Sequence, residues 1–61
     1  MELTLQDIER QLNDGLNRTS EEREKCLKWL TEFYAANDMS LTELNELCWK
    51  DSNWVFSQIF D

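Results

Sequence analysis

The chain has 61 residues, with 13 acidic and 6 basic side chains, no histidine, no proline and one glycine. This length allows one small domain, residues 1–61, and leaves little volume for a deep active-site cleft beside the core. The net charge of −7 is opposite in sign to the basic surface of a typical nucleic-acid-binding protein. Hydrophobic residues make up 41% of the chain, which favours collapse, and the scarcity of glycine and proline turns predicts an all-α fold.

The first predicted helix begins after Thr4. Thr4 and Asp7 have the spacing of a capping box, in which each side chain bonds to the backbone N–H of the other residue. Gly15 can adopt the left-handed conformation that follows many helices, so the helix is expected over about residues 5–14. The polar residues of this segment are expected on the side away from the core: Gln6, Glu9, Arg10, Asn13 and Asp14.

The second predicted helix is the longest. Thr19 and Glu22 form another capping box, and the apolar periodicity then extends over about residues 20–36. Its exposed face is expected to carry Glu–Lys pairs four residues apart, Glu21 with Lys25 and Glu24 with Lys28.

The C-terminal third predicts two short helices. Ser40 and Glu43 form a third capping box, and the helix that they begin ends near Lys50. Residues 51–53 are a polar break, and apolar side chains four positions apart in residues 54–61 then indicate a short fourth helix. Continuation of the third helix through the break, or a short strand, fits the same residues. A lone strand, however, has no partner to pair with.

Together these elements predict a small three-helix bundle with a short C-terminal fourth helix. The expected core consists of Ile8, Leu12, Leu27, Leu30, Phe33, Leu44, Leu47 and Ile59. Cys26 and Cys48 lie within apolar stripes and are predicted to be buried free thiols. A secretory signal and a run of about 18 apolar residues are both absent, which predicts a cytoplasmic protein without a membrane span.

The residue types do not favour catalysis. Without histidine there is no imidazole base, and two cysteines alone cannot complete the four-ligand set of a zinc site. One glycine is too few for a phosphate-binding loop. We therefore expect a non-catalytic protein with no cofactor and no bound metal.

The C-terminal half is similar in order to a helix-turn-helix motif, with a Leu-Thr-Glu-Leu helix start at residues 41–44, a polar break and a second helix. That second helix offers base contacts only from Asn53, Ser57 and Gln58. Residues 29–61 contain six acids and a single base, Lys50, although phosphate contacts require lysine and arginine. The helix order keeps DNA binding as an alternative function, although the charge of this half opposes it. A second alternative is that the acidic surface imitates DNA and so blocks a nucleic-acid-binding protein.

Aromatic residues provide the main functional signal, because all seven lie in residues 29–61. Trp54 and Phe56 are two positions apart and point about 200° apart on a helix, so burying both requires two surfaces. One of these surfaces is expected to belong to a partner, for which tryptophan is a frequent anchor. The candidate partner-binding residues are Trp49, Trp54, Phe56 and Phe60. They predict a regulatory protein that acts by protein–protein binding, with homodimerisation through residues 49–60 as one form.

In size, acidity and helix content the chain resembles small acidic helical accessory proteins of the early regions of lambdoid phages and prophages. Such proteins typically bind host or phage proteins, or act through helix-turn-helix modules. The resemblance implies a small regulator without catalytic machinery. It rests on overall character and not on a motif, so it assigns no role to any residue.

Overall fold

A computed structural model describes residues 2–61 of the protein as four helices joined by short connections. The helices are α1 (Leu5–Leu12), α2 (Ser20–Ala36), α3 (Leu41–Lys50) and α4 (Ser52–Phe60). No strand is present in residues 2–61, and α2 packs against each of the other three helices. The predicted all-α bundle with a short C-terminal fourth helix is therefore confirmed.

Reciprocal capping boxes fix the starts of the first three helices. The Asp7 N–H donates to Thr4 Oγ1 at 3.1 Å, and the Thr4 N–H donates to Asp7 Oδ2 at 3.2 Å. The same pair of bonds begins α2 and α3, between Thr19 and Glu22 and between Ser40 and Glu43. Each box satisfies N–H groups that have no partner within their own helix. Because both residues of a box lie within four positions, the sequence alone predicts these helix starts.

The first helix ends two residues earlier than predicted. Asn13 caps it, and the Asn13 side-chain amide donates to the Glu9 carbonyl oxygen at 3.1 Å. Gly15 follows in a turn with φ of +79°, a conformation that glycine adopts at little cost. The asparagine amide thus competes with continued helix, and glycine then allows the chain to reverse.

The second helix ends at Ala36, as predicted, in a Schellman motif. The Met39 N–H donates to the Tyr34 carbonyl and the Asp38 N–H donates to the Ala35 carbonyl, both at 3.4 Å. Asp38 occupies the left-handed position with φ of +49°, which aspartate tolerates better than most residues.

The predicted break at residues 51–53 is shorter in the structure, where Asp51 alone separates α3 from α4. The Asp51 N–H donates to the Leu47 carbonyl at 2.8 Å, and the Asp51 carbonyl accepts from the Val55 N–H at 3.0 Å. The backbone of Asp51 therefore ends one helix and begins the next. Its side chain makes no capping bond and remains exposed.

Eight buried apolar side chains form one core cluster: Ile8, Leu12, Cys26, Leu30, Leu44, Cys48, Val55 and Ile59. Of the predicted core residues, Leu27, Phe33 and Leu47 are half-buried instead. In α2 the residues facing the core are Cys26 and Leu30, so Leu27 lies about 100° around the helix from Cys26.

The two cysteines are confirmed as buried and free. Both lie in the core as predicted, whereas the adjacent Leu27 and Leu47 are half-buried. A small side chain at such a position lets two helices approach closely, which suits a bundle with a core of this size.

Candidate interaction surface

The four aromatic residues predicted to bind a partner lie in three separate places. Trp49, on the last turn of α3, is 72% exposed, and Trp54, on the first turn of α4, is 45% exposed. Phe56 and Phe60 are half-buried one helical turn apart, with their ring centroids separated by 6.2 Å. Only the two phenylalanines contact each other as neighbouring rings.

Phe56 and Phe60 are engaged within the molecule. The Arg18 guanidinium carbon lies 4.7 Å from the Phe56 ring centroid and 4.6 Å from that of Phe60. Arg18 also pairs with Glu22 at 3.6 Å, and Lys25 Nζ lies 5.6 Å from the Phe60 ring. Cations from the first half of the chain therefore cover these rings, which makes them poor candidates for a free contact surface.

Trp54 belongs to a three-ring cluster with Trp29 and Phe33 of α2. Trp29 and Phe33 stack with centroids 4.7 Å apart, and Trp54 stands roughly perpendicular to both, 6.1 Å from each. These offset and edge-to-face arrangements suit the charge distribution of aromatic rings. Trp54 thus anchors α4 to α2 with one part of its indole and presents another part to solvent.

Trp49 stands beside a cavity of about 190 Å³ between α1 and α3, which we call the Trp49 pocket. Its lining consists of Ile8, Gln11, Leu12, Asn45, Cys48, Trp49 and Ser52, none of which carries a formal charge at neutral pH. Trp49 Nε1 donates to Gln11 Oε1 at 3.4 Å. Asn45 Oδ1 is buried without a hydrogen-bond partner among the described residues.

A wider depression of about 420 Å³ lies between the C-terminal end of α2 and the exposed side of α3, and we call it the α2–α3 groove. Its lining consists of Phe33, Asn37, Met39, Glu43, Glu46, Leu47, Lys50 and Asp51. The apolar members are half-buried, whereas the charged members are exposed. The groove therefore has an apolar floor and a charged rim, and Phe33 connects it to the Trp54 cluster.

Ion pairing divides the molecule unevenly. In the part of the chain that the structure describes, the ion pairs are Asp7–Arg10, Glu22–Arg18 and Glu9–Arg23. Each joins residues within 2–28, and the six acids of residues 29–61 have no lysine or arginine partner within the described chain. The charge of the second half is therefore left unneutralised by neighbours.

A polar network around the buried Glu9 carboxylate joins the end of α1 to α2, and no pattern in the sequence predicts it. Glu9, expected on the exposed side, has a side chain only 9% exposed, and Arg23 Nε donates to both its carboxylate oxygens at 3.1 and 3.3 Å. Asn13 bonds to the same carboxylate at 3.4 Å and accepts from the Cys26 thiol at 4.0 Å. The carboxylate of Glu9, the guanidinium of Arg23, the amide of Asn13 and the thiol of Cys26 thus bond to one another. A role in stabilising the fold accounts for all four.

The two thiols are protonated at neutral pH. Burial raises the pKa of Cys48 to about 11, with a smaller contribution from the nearby Cys26. Burial also raises the pKa of Cys26, and the hydrogen bond from its thiol to Asn13 lowers that pKa by a smaller amount. Since the thiolate is the reactive form, neither cysteine is activated as a nucleophile.

Residues 2–61 contain neither a cluster of three potential metal ligands nor a helix that could span a membrane. Within this range no three or more aspartate, glutamate or cysteine side chains are grouped to hold a metal ion. None of the helices described there has both the length and the apolar character needed to cross a bilayer.

Comparison of the chain with protein-family models, with curated proteins and with solved structures finds no match.

Proposed function

We propose that this chain is a small, non-catalytic regulatory protein that acts by binding another protein through the exposed tryptophans of α3 and α4. The observation that carries the proposal is the exposure of Trp49 and Trp54 in a fold whose core is already closed by other side chains. Trp49 lines the Trp49 pocket, and Trp54 packs edge-on against Phe33, which lines the α2–α3 groove.

Covering these indoles would supply binding energy. Removing a large apolar side chain from water contributes on the order of 2 kcal/mol, and tryptophan is among the residues that most often dominate an interface. Trp49 requires little rearrangement to make such a contact, because the one hydrogen bond of its side chain within residues 2–61 is to an exposed glutamine. Phe56 and Phe60 are not primary contacts of this surface, since Arg18 already covers them.

Self-association is one form that this function can take. An isologous dimer places the same surface of two copies face to face. The Trp49 pocket suits that arrangement, because its lining is uncharged and an exposed indole stands at its edge. Two copies meeting there would each bring Trp49 to the pocket of the other copy.

DNA binding and DNA mimicry receive less support. A helix-turn-helix places a turn of about three to four residues between its helices, whereas Asp51 alone separates α3 from α4. Lys50 is the one base in residues 29–61, so a recognition helix here would bring little phosphate affinity. Mimicry uses the unpaired acids of the same half but assigns no role to the exposed tryptophans.

Capture from the native cell tests the proposal. The tagged protein is compared with Trp49→Ala, Trp54→Ala and Leu16→Ala in nuclease-treated lysate, and each captured protein is then purified for affinity measurements. Leu16 is the matched control because it is 45% exposed, as Trp54 is, but lies before α2. We expect a partner that binds wild type and Leu16→Ala alike and binds Trp49→Ala at least about tenfold more weakly.

Equal affinity for all four chains would contradict the proposal. Light scattering of the same four proteins separates self-association from binding of a different protein. A dimer mass that Trp49→Ala reduces to a monomer mass identifies a second copy as the partner.

A further inference from the structure

We propose that the α2–α3 groove binds a cationic, amphipathic segment of the partner protein, with an apolar side chain on the groove floor and lysine or arginine at its rim. This inference rests on the proposed function and specifies the chemistry of the partner. It commits to a partner other than a second copy at this groove. The floor of the groove is apolar, its rim is acidic, and a two-fold contact between two copies would bring like charges together.

The floor of the groove suits an apolar side chain. Phe33, Met39 and Leu47 are half-buried against the core and turn their remaining surface into the groove. Phe33 continues into the ring cluster with Trp54, whose indole is partly exposed. An apolar anchor in the groove would therefore meet a continuous surface of aliphatic and aromatic carbon.

The rim of the groove determines the charge of its occupant. Glu43, Glu46 and Asp51 stand at the rim against a single lysine, Lys50. Within the described chain none of these four side chains forms an ion pair. Glu43 is partly occupied by the capping box of α3, whereas the side chains of Glu46 and Asp51 form no hydrogen bond with any other of residues 2–61.

An apolar ligand that carried acids would meet repulsion at this rim, and a neutral one would leave the carboxylates without partners. Lysine or arginine beside the apolar anchor would pair with Glu46 and Asp51 and remain partly solvated. Complementary potentials of this kind fix the choice of partner and speed encounter more than they raise affinity.

A second copy of the chain is a poor occupant of this groove. A two-fold contact places the groove against itself and brings the rim acids of both copies together. Four of the five basic residues of the first half have partners within the molecule: Arg10 with Asp7, Arg18 with Glu22, Arg23 with Glu9 and Lys25 with the Phe60 ring. The charge therefore favours a different, cationic protein.

Designed peptides test the inference directly. One short peptide alternates leucine with lysine, a second replaces each lysine by glutamate, and a third keeps the lysines but replaces each leucine by serine. Fluorescence anisotropy of each labelled peptide is followed with the purified wild-type protein at about 50 mM and about 300 mM salt. We expect the leucine–lysine peptide alone to bind well, and its affinity to fall at the higher salt concentration.

A pair of double variants locates the binding. Glu46→Gln with Asp51→Asn removes two charges from the rim, and Glu21→Gln with Glu24→Gln removes two exposed charges from the start of α2. Each exposed pair that is lost weakens binding modestly, so we expect the rim variant to bind the leucine–lysine peptide about fivefold more weakly than wild type at low salt. The control variant should change that affinity by less than about twofold.

The outcomes separate this inference from the proposed function. Equal binding of the lysine and glutamate peptides, equal effects of the two double variants, or binding of no peptide would each overturn the cationic-segment proposal. The capture experiment with Trp49→Ala and Leu16→Ala uses the natural partner and no designed peptide. Its result decides the proposed function independently.

Discussion

All the ion pairs of the described chain join residues within 2–28, whereas both exposed tryptophans lie within 29–61. The first segment contains five basic and seven acidic side chains, and the second contains one and six. In the first segment, Arg23 pairs with the buried Glu9 carboxylate, and Arg18 covers two aromatic rings of the second segment. In the second segment the six acids have no lysine or arginine partner within the described chain, and Trp49 and Trp54 are exposed.

This difference separates stability from binding. A side chain whose partners lie inside the molecule contributes to folding, and its loss leaves those partners exposed or unpaired. A side chain that points to solvent contributes little to folding and remains available to another molecule. Substitutions of Arg18 and Arg23, whose partners lie inside the molecule, should therefore change mainly the free energy of unfolding, whereas substitution of Trp49 should change mainly binding.

The largest expected effect is that of Arg23→Ala. Removing the guanidinium leaves the nearly buried Glu9 carboxylate without its cation, which should lower the free energy of unfolding by about 2 kcal/mol. Urea denaturation checks the change. The matched control is Arg10→Ala, because the Arg10–Asp7 pair is exposed and 3.9 Å long and should contribute less than about 0.5 kcal/mol. Equal losses in the two variants would show that the buried network is no more important than a surface pair.

Arg18→Ala should have the next largest effect. It removes a cation from two rings and from Glu22, and we expect a loss of about 1–2 kcal/mol in the free energy of unfolding. The variant should also bind a hydrophobic dye more strongly, because Phe56 and Phe60 lose their cover. Arg18→Lys should restore little of this stability, since a lysine cannot stack as a planar group does. Full recovery with lysine would mean that the charge alone matters.

Alkaline pH should weaken the core through Cys48. Its folded pKa of about 11 lies above the ordinary value of 9.0, so its contribution is fully present below pH 9.0 and is lost as the pH rises toward 11. By pH 10 this group alone should lower the free energy of unfolding by about 1 kcal/mol. Denaturation of wild type and Cys48→Ala across this range measures the loss, which the variant should lack. The same alkaline loss in both proteins would assign it to other groups.

The smallest expected effect on stability is that of Trp49→Ala. With 72% of Trp49 exposed and one long hydrogen bond to Gln11, the free energy of unfolding should change by less than about 0.5 kcal/mol. Trp54→Ala should cost more, because Trp54 also contacts the rings of Trp29 and Phe33. Thermal denaturation of the two variants compares them. A Trp49→Ala protein as destabilised as Trp54→Ala would mean that Trp49 serves the fold and not a partner.

Local signals in the sequence predicted the helices well. The spacing of Thr19 with Glu22 and of Ser40 with Glu43 is sufficient to begin a helix, because both partners of each bond lie within one turn. The exposure of Trp49 and Trp54 was also consistent with the excess of aromatic residues in a short chain.

Contacts between distant residues were not predictable in this way. Glu9 and Arg23 are 14 positions apart, and no pattern in the sequence of either helix predicts that they pair. Arg18 lies still further in sequence from the rings of Phe56 and Phe60, so the sequence left those rings as candidates for a partner. The expected Glu21–Lys25 and Glu24–Lys28 pairs are not among the ion pairs of residues 2–61, as is common for exposed charges.

Chemical-shift mapping tests the division between the two segments most directly. Uniformly ¹⁵N-labelled protein is titrated with the leucine–lysine peptide, and the amide shifts are followed along the chain. We expect the largest changes at the end of α2, in α3 and near Trp54, and nearly unchanged amide shifts around Glu9, Arg18 and Arg23. Largest changes in residues 5–25 would contradict this expectation.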